Sequence, residues 1–206
     1  MSATLLLIPE LLPGSIVLDR PLSDEQLEEL CAANDFSQLE RAKDGEILMS
    51  PPAELTTTDG NSEINRQLRN WWTTHRRGKV AESNGGFFFA DGSMLSPDAA
   101  YIAPARLKTL PKGRAKGFPH VCPNFVIELL SRSDSLRKLQ AKMRDWIANG
   151  AEVAWLVDPC KRRVSIYQPG LETKVVAAKS IQGTGPIEGF TLDLTEIWRC
   201  YDLYEG

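Results

Sequence analysis

Three side chains in this 206-residue chain, Asp98, Glu128 and Lys142, have the types and settings to do chemistry together. Glu128 lies inside the apolar run Phe125-Val126-Ile127-Glu128-Leu129-Leu130, which reads as a buried strand. A carboxylate that deep is costly unless it is paired, protonated or bound to a cation. Asp98 stands at an earlier strand end, in Ser96-Pro97-Asp98. Two carboxylates with a lysine beside them suit hydrolysis. The acids can hold a hard cation such as Mg²⁺, or Mn²⁺ in its place, through oxygen ligands. The cation polarises a phosphoryl oxygen and lowers the pKa of bound water. The lysine orients that water or balances developing negative charge.

Positioning these groups takes a strand, a helix and a second strand. Ser131 and Ser133 offer caps for a helix running to about Asn149, where Gly150 is the expected stop. Leu139, Met143, Trp146 and Ile147 form one apolar stripe at the helical period. Lys142 falls just off one edge of that stripe, while Lys138 points further toward water. A lysine at such a margin ordinarily lays its stem on apolar surface and keeps its charge in water. Glu128, brought to the same layer by the preceding strand, favours a functional role for it instead. Ala151–Asp158 follows as a second buried strand, so a mixed-sheet α/β core with a crossover helix is expected.

The rest of the chain frames this unit. Residues 1–20, broken by Pro9, Pro13 and Gly14, read as an N-terminal extension, with residues 21–206 forming a single domain. Ser23 and Gln26 make a capping box for a first helix carrying Leu27, Leu30 and Cys31. Leu39 to Met49 reads as a hairpin turning at Lys43-Asp44-Gly45. A helix from about Asn61 to Thr74 places Ile64, Leu68, Trp71 and Trp72 on one face, where core packing outweighs base stacking. Ser93–Ser96 runs out at Pro97-Asp98, and Ala99–Ile102 continues it.

Composition narrows the classes. Hydrophobic content of 42% and charged content of 25% are those of a globular protein. A net charge of -3 argues against a strongly basic coat, though not against a local basic patch. Cys31, Cys122, Cys160 and Cys200 stand far apart, which with two histidines disfavours a zinc site. Reduced thiols in a cytoplasmic protein are expected. The N-terminal apolar run lacks a basic start and is interrupted by Glu10, and no stretch is long enough to span a membrane. The chain has no phosphate-binding G-x-x-x-x-G-K-[ST] loop, no dinucleotide fingerprint and no G-x-S-x-G elbow.

Several segments, in order, resemble the Uma2 family of restriction-endonuclease-like proteins, common in cyanobacteria. They are Gly45-Glu46-Ile47-Leu48-Met49-Ser50-Pro51, Gly60-Asn61, Ser96-Pro97-Asp98-Ala99, Phe125-Val126-Ile127-Glu128-Leu129, Leu139-Gln140-Ala141-Lys142-Met143, Asn149-Gly150-Ala151, Trp155-Leu156-Val157-Asp158-Pro159 and Val164-Ser165-Ile166-Tyr167. The resemblance covers about residues 35–200. It implies the PD-(D/E)xK nuclease fold, a restriction-endonuclease-like mixed β-sheet flanked by helices, with a Mg²⁺ site at one edge. Asp98 would then be the PD acid and Glu128 the second acid. The superfamily pattern places a lysine two residues after Glu128, but Leu130 stands there. The family takes a lysine from the following helix, and Lys142 matches that position. Glu46 matches the family's early acid, as an auxiliary ligand or an orienter of a base. A solvated hairpin glutamate is its plain alternative.

Arg106, Lys108, Lys112, Arg114 and Lys116 lie in a stretch without acids and are candidates for phosphate contacts with DNA. Arg66, Arg69, Arg76, Arg77 and Lys79 form a second basic cluster. A solvated charged surface is the competing reading of both. The chain is therefore expected to be a Mg²⁺-dependent endonuclease hydrolysing DNA phosphodiester bonds, plausibly as a homodimer if it cuts both strands. The alternative is a catalytically inactive nuclease-fold protein that binds nucleic acid or regulates a partner. Endonuclease chemistry requires Asp98 and Glu128 to share reach of one cation.

Overall fold

The structure, a computed structural model, describes residues 14–34, 37–111 and 117–202. The chain divides into two compact units, each assembled from separated segments.

The first unit takes residues up to 52 together with 84–96 and 110–121. Its strands are β1 (Ser15–Ile16), β2 (Gln38–Arg41), β3 (Ile47–Ser50), β5 (Phe87–Phe88) and β6 (Met94–Leu95), in the order β1-β3-β2-β6-β5. Helix α1 (Asp24–Ala33) begins at the expected capping box: the Gln26 N–H donates to Ser23 Oγ, and the Ser23 N–H to the Gln26 side chain. The β2–β3 hairpin forms as its pattern predicts, with Gly45 at a φ of 88° in the turn. That left-handed backbone explains glycine there. Leu27, Leu39, Ile47, Phe88 and Met94 make a small core.

The second unit takes residues 53–83, 97–109 and 122 onward. Its sheet contains β4 (Lys79–Glu82), β7 (Ala99–Ile102), β8 (Phe125–Leu129), β9 (Val153–Asp158), β10 (Arg163–Tyr167) and β11 (Lys174–Val176), in the order β11-β10-β9-β8-β7-β4. Strands β8 and β9 are parallel and joined by α4 (Leu136–Ala148), while the other neighbours are antiparallel. This is the crossover expected from the strand–helix–strand pattern. Helix α2 (Leu55–His75), the one-turn α3 (Pro104–Leu107), the small pair β12 (Ser180–Gln182) and β13 (Thr191–Asp193), and α5 (Leu194–Asp202) complete the unit.

Alternation along β8 divides the unit's interior. Phe125, Ile127 and Leu129 join a large core with Ile64, Leu68, Trp155 and Phe190. Val126 and Glu128 therefore point the other way. There they meet α4, whose Met143 and Trp146 are fully buried. The two adjacent tryptophans are core satellites, as their spacing suggests. Trp71 meets Tyr101 edge-on at 5.1 Å, and its indole N–H reaches the Glu188 carbonyl; the Trp72 N–H reaches Gly78.

Three local expectations change. Helix α4 has Ser135 at its N-cap, with no side-chain cap bond, rather than Ser131 or Ser133. Helix α2 starts at Leu55 rather than about Asn61, despite a weakly helical Thr56-Thr57-Thr58-Asp59-Gly60 lead-in. Tertiary contact overrides propensity here, because the lead-in packs against α5 and β8. A Cβ at Gly60 would lie 2.9 Å from Leu129 Cδ2 and 3.2 Å from Tyr201 Cε2, so only glycine allows that approach. Residues 93–102 also do not form one continued strand. β6 pairs in one sheet and β7 in the other, and Pro97, which cannot donate to a ladder, stands at the break.

Candidate active site

The second unit gathers Asp98, Glu128 and Lys142. Asp98 immediately precedes β7, whose Ala99 pairs with Ile127 of β8. One step further in that antiparallel register sets Asp98 opposite Glu128. The strand itself thus delivers the two acids to one level.

Glu128 is 3% exposed. Lys142 Nζ lies 2.9 Å from its Oε1 and 3.1 Å from its Oε2. The indole N–H of Trp146 donates to Oε1 at 2.8 Å. Lys142 and Trp146 are four residues apart on α4, so one helix face supplies both partners. Lys142 is mostly buried at the helix margin, and Lys138 is exposed, as the apolar stripe requires.

Asp98 is half-buried and held from a different helix. Asn61 Nδ2 of α2 donates to its Oδ1 at 2.8 Å, and the Leu129 backbone N–H donates to its Oδ2 at 2.7 Å. Asn65, one turn beyond Asn61, donates from Nδ2 to the Asp98 carbonyl and to the Asn61 carbonyl, both at 2.9 Å. Burial pushes the Asp98 carboxyl above its ordinary value; the Leu129 N–H, the Lys142 charge and the Asn61 amide pull it partly back. The charge of Lys142 thus acts on both acids.

Asn61, Asn65 and the indole of Trp146 were not singled out as site residues from the sequence. Asn61 and Asn65 do leave a faint signal, two amides four apart beside the apolar face of α2. Trp146 left none, because its ring belongs to the apolar stripe and only its N–H is polar.

Among the described residues no three His, Cys, Asp or Glu side chains cluster as a metal-binding group. The donor set fits a different arrangement. Mg²⁺ is commonly held by one or two carboxylates, with water and substrate phosphate completing its shell. Asp98 and Glu128 would be the residues to supply such a pair, and Asn61 Oδ1 is a buried oxygen with no hydrogen-bond partner among the described residues.

The other candidates fall elsewhere. Glu46 belongs to the first unit, half-buried just before β3, with its N–H on Asp44 Oδ1. Arg106 turns inward: its guanidinium donates to the carbonyls of Cys122, Pro123 and Gly150, and to Glu152. A phosphate contact would cost it those bonds. Lys108 is exposed just after α3. Lys112, Arg114 and Lys116 lie outside the described residues. A groove of about 400 Å³ lies between α2 and the edge strand β4, lined by Ser62, Asn65, Arg66 and Arg69 on one side and Val80–Glu82 on the other. Asn65 links this groove to Asp98.

Residues 24–195 match the Uma2 family, described as "Putative restriction endonuclease". The chain belongs to the Uma2 family. Among solved structures, one that is similar is a putative nuclease belonging to DUF820 from Anabaena variabilis ATCC 29413. It is 20% identical, with a TM-score of 0.68 over 79% of this chain and 90% of that one. At that identity the likeness establishes the fold, a nuclease-like mixed sheet flanked by helices. No curated protein matches the chain. Leu130 directly follows β8, and a lysine reaches Glu128 from α4. No helix among the described residues is long and apolar enough to cross a membrane.

Proposed function

We propose that this Uma2 protein is a metal-dependent endonuclease that hydrolyses DNA phosphodiester bonds, with Asp98, Glu128 and Lys142 as its reacting centre. The observation that carries this reading is the delivery of Lys142 to Glu128 while its charge also bears on Asp98. A structural ion pair would need only one acid. Here a second carboxylate stands opposite the first, above its ordinary pKa, and Asn65 is shared between it and the α2–β4 groove.

In this reading Asp98 and Glu128 hold Mg²⁺ or Mn²⁺. The cation supplies Lewis-acid polarisation of a phosphoryl oxygen. Lys142, held by Glu128, orients the attacking water and balances the charge that grows on the phosphoryl oxygens. The Trp146 N–H fixes the Glu128 rotamer, and Asn61 with the Leu129 N–H fixes that of Asp98. Such support keeps a site within the narrow geometry that catalysis needs. Among the described residues Arg69 and Lys108 are exposed cations for DNA phosphates, whereas Arg66 is held by Glu63. A homodimer is the arrangement that cutting two strands calls for.

The test is cleavage of plasmid DNA with Mg²⁺ or Mn²⁺ by the wild type and by Asp98→Asn, Glu128→Gln and Lys142→Met. Each variant is expected to lose about a hundredfold or more, the scale of removing one transition-state stabiliser. Equal activity in all four would exclude this centre. One observation favours the non-cutting alternative: both Glu128 oxygens already have protein partners. DNA binding without cleavage, unchanged by the three substitutions, would establish that reading instead.

A further inference from the structure

One buried oxygen without a partner stands directly beside Asp98. Asn61 Oδ1 has no hydrogen-bond partner among the described residues, whereas Thr57 Oγ1 and the Tyr201 hydroxyl face each other and interact weakly. Thr57 and Tyr201 are 4% and 3% exposed. Thr57 and Asn61 are four apart on α2 and share a face. Tyr201 comes from α5 and packs on Gly60 between them. Burial pushes the Tyr201 hydroxyl up to about 12, a hydrogen bond with Thr57 holds it back, and the negative charge of Asp98 adds to the rise. Leaving one buried polar group unsatisfied costs on the order of 1–3 kcal/mol. A bare amide oxygen beside a half-buried carboxylate is a poor arrangement for stability alone.

Asn61 is the informative member. Its Nδ2 is committed to Asp98, which fixes the amide orientation and leaves Oδ1 as a bare acceptor beside the acid. A side-chain amide oxygen is a hard, neutral ligand of the kind that joins carboxylates around Mg²⁺ or Mn²⁺. We propose that Asn61 Oδ1 is the third protein oxygen of the cation site, beside Asp98 and Glu128. The Thr57 and Tyr201 hydroxyls then hold part of the cation's water shell. This rests on the metal-dependent reading above and adds a ligand from α2 that the two-acid pattern lacks. It also gives a role to Gly60, whose missing Cβ lets this turn of α2 approach Leu129 and Tyr201.

The alternative is that Asn61 merely braces Asp98, and the two roles predict opposite signs for one substitution. Asn61→Asp removes the donor to Asp98 and adds repulsion, but supplies a charged oxygen. A ligand role therefore predicts tighter Mn²⁺ binding, whereas a bracing role predicts weaker binding. Calorimetric titration of Mn²⁺ into the full chain, with no DNA present, reads this directly. Solvent-water proton relaxation provides a second readout of bound Mn²⁺.

Asn61→Ala should weaken binding about tenfold or more and Asn61→Asp should strengthen it. Asn65→Ala, which removes a brace but no proposed ligand, should change it less than Asn61→Ala. Thermal melts check that each variant is folded. Weakened binding in both Asn61 variants would reduce Asn61 to a brace and overturn the proposal. Unchanged binding in both would overturn it as well. A folded wild type that takes up no Mn²⁺, either alone or with duplex DNA present, would remove the two-acid cation site itself, and this inference with it.

Discussion

Each unit contains a buried cation against a carboxylate, and the two pairs are built differently. In the first unit Arg41 donates to the Gly92 and Leu22 carbonyls at 2.6 and 2.9 Å and to Asp24 at 2.5 Å, while its guanidinium lies over the Phe88 ring. Its planar fork is filled by groups that would otherwise be unsatisfied, and Asp24 stays one-third exposed. In the second unit Lys142 brings a compact charge to Glu128, which is nearly inaccessible, and that charge also acts on Asp98. Arg41 closes its network. The charge of Lys142 reaches past its partner to Asp98, whose carboxyl lies above its ordinary pKa beside the bare Asn61 Oδ1. Arg41 is a clamp for its surroundings, whereas Lys142, also paired, has a second acid within its field and so marks the candidate site.

Substitutions can break this contrast. The largest effect is expected for Lys142→Ala, which leaves the Glu128 carboxylate buried without its cation. A loss of about 3–5 kcal/mol in urea denaturation is expected. The double variant Lys142→Met with Glu128→Gln should recover most of it, since no buried charge then remains. Failure of that rescue would mean the pair is not the source of the cost.

Next is Gly60→Ala, whose new methyl would meet Leu129 and Tyr201 at 2.9 and 3.2 Å. Overpacking of that kind costs about 1–3 kcal/mol, and it should weaken Mn²⁺ binding by displacing Asn61. A stable variant with intact binding would separate Gly60 from the site.

Arg41→Met should lose about 1–3 kcal/mol by stranding the Leu22 and Gly92 carbonyls, with Mn²⁺ binding unchanged. A change in cation affinity would contradict its role as a clamp.

The smallest effect, and one of opposite sign, is expected for Asp98→Asn. The folded chain keeps the Asp98 proton to higher pH than the unfolded chain. That contribution to stability is therefore present at acid pH and lost as pH rises through the folded pKa. The variant should be more stable at neutral pH by about 1 kcal/mol, with a flatter pH dependence in thermal melts, while losing the cation. The amide of Asn61 can turn to accept from the new side chain, so the substitution need not strand a donor. A variant less stable than the wild type at pH 7, or an unchanged slope, would mean that burial of the charge is not what lifts this carboxyl.

Much of the site could be read before any tertiary structure. An acid inside an apolar run cannot be neutral in its consequences, so Glu128 announced itself through the cost of burying it. Periodicity alone put Lys142 at the edge of the α4 stripe, and Pro97-Asp98 marked a strand end. The register between β7 and β8 was not legible, because nothing local to residue 98 states which residue it will face. The basic stretch shows the same limit in reverse. Arg106 has the composition of a phosphate contact, yet its guanidinium is spent on three carbonyls that only the folded chain brings to it.

The sequence by itself determined the strand–helix–strand core, the hairpin and capped helix of the first unit, the Uma2 pattern, and the identity of two acids and a lysine. Those follow from local periodicity, turn chemistry and the expense of a buried charge, all properties of neighbouring residues. Only the tertiary structure decided that Asn61 and Asn65 would hold Asp98, that the Trp146 indole would serve Glu128, and that Asn61 Oδ1 would be left bare among buried oxygens. Those are meetings of α2, α4 and the ends of β7 and β8, segments far apart in the chain. Hydrogen-bond partnership across such distances is fixed by packing, which no local pattern encodes.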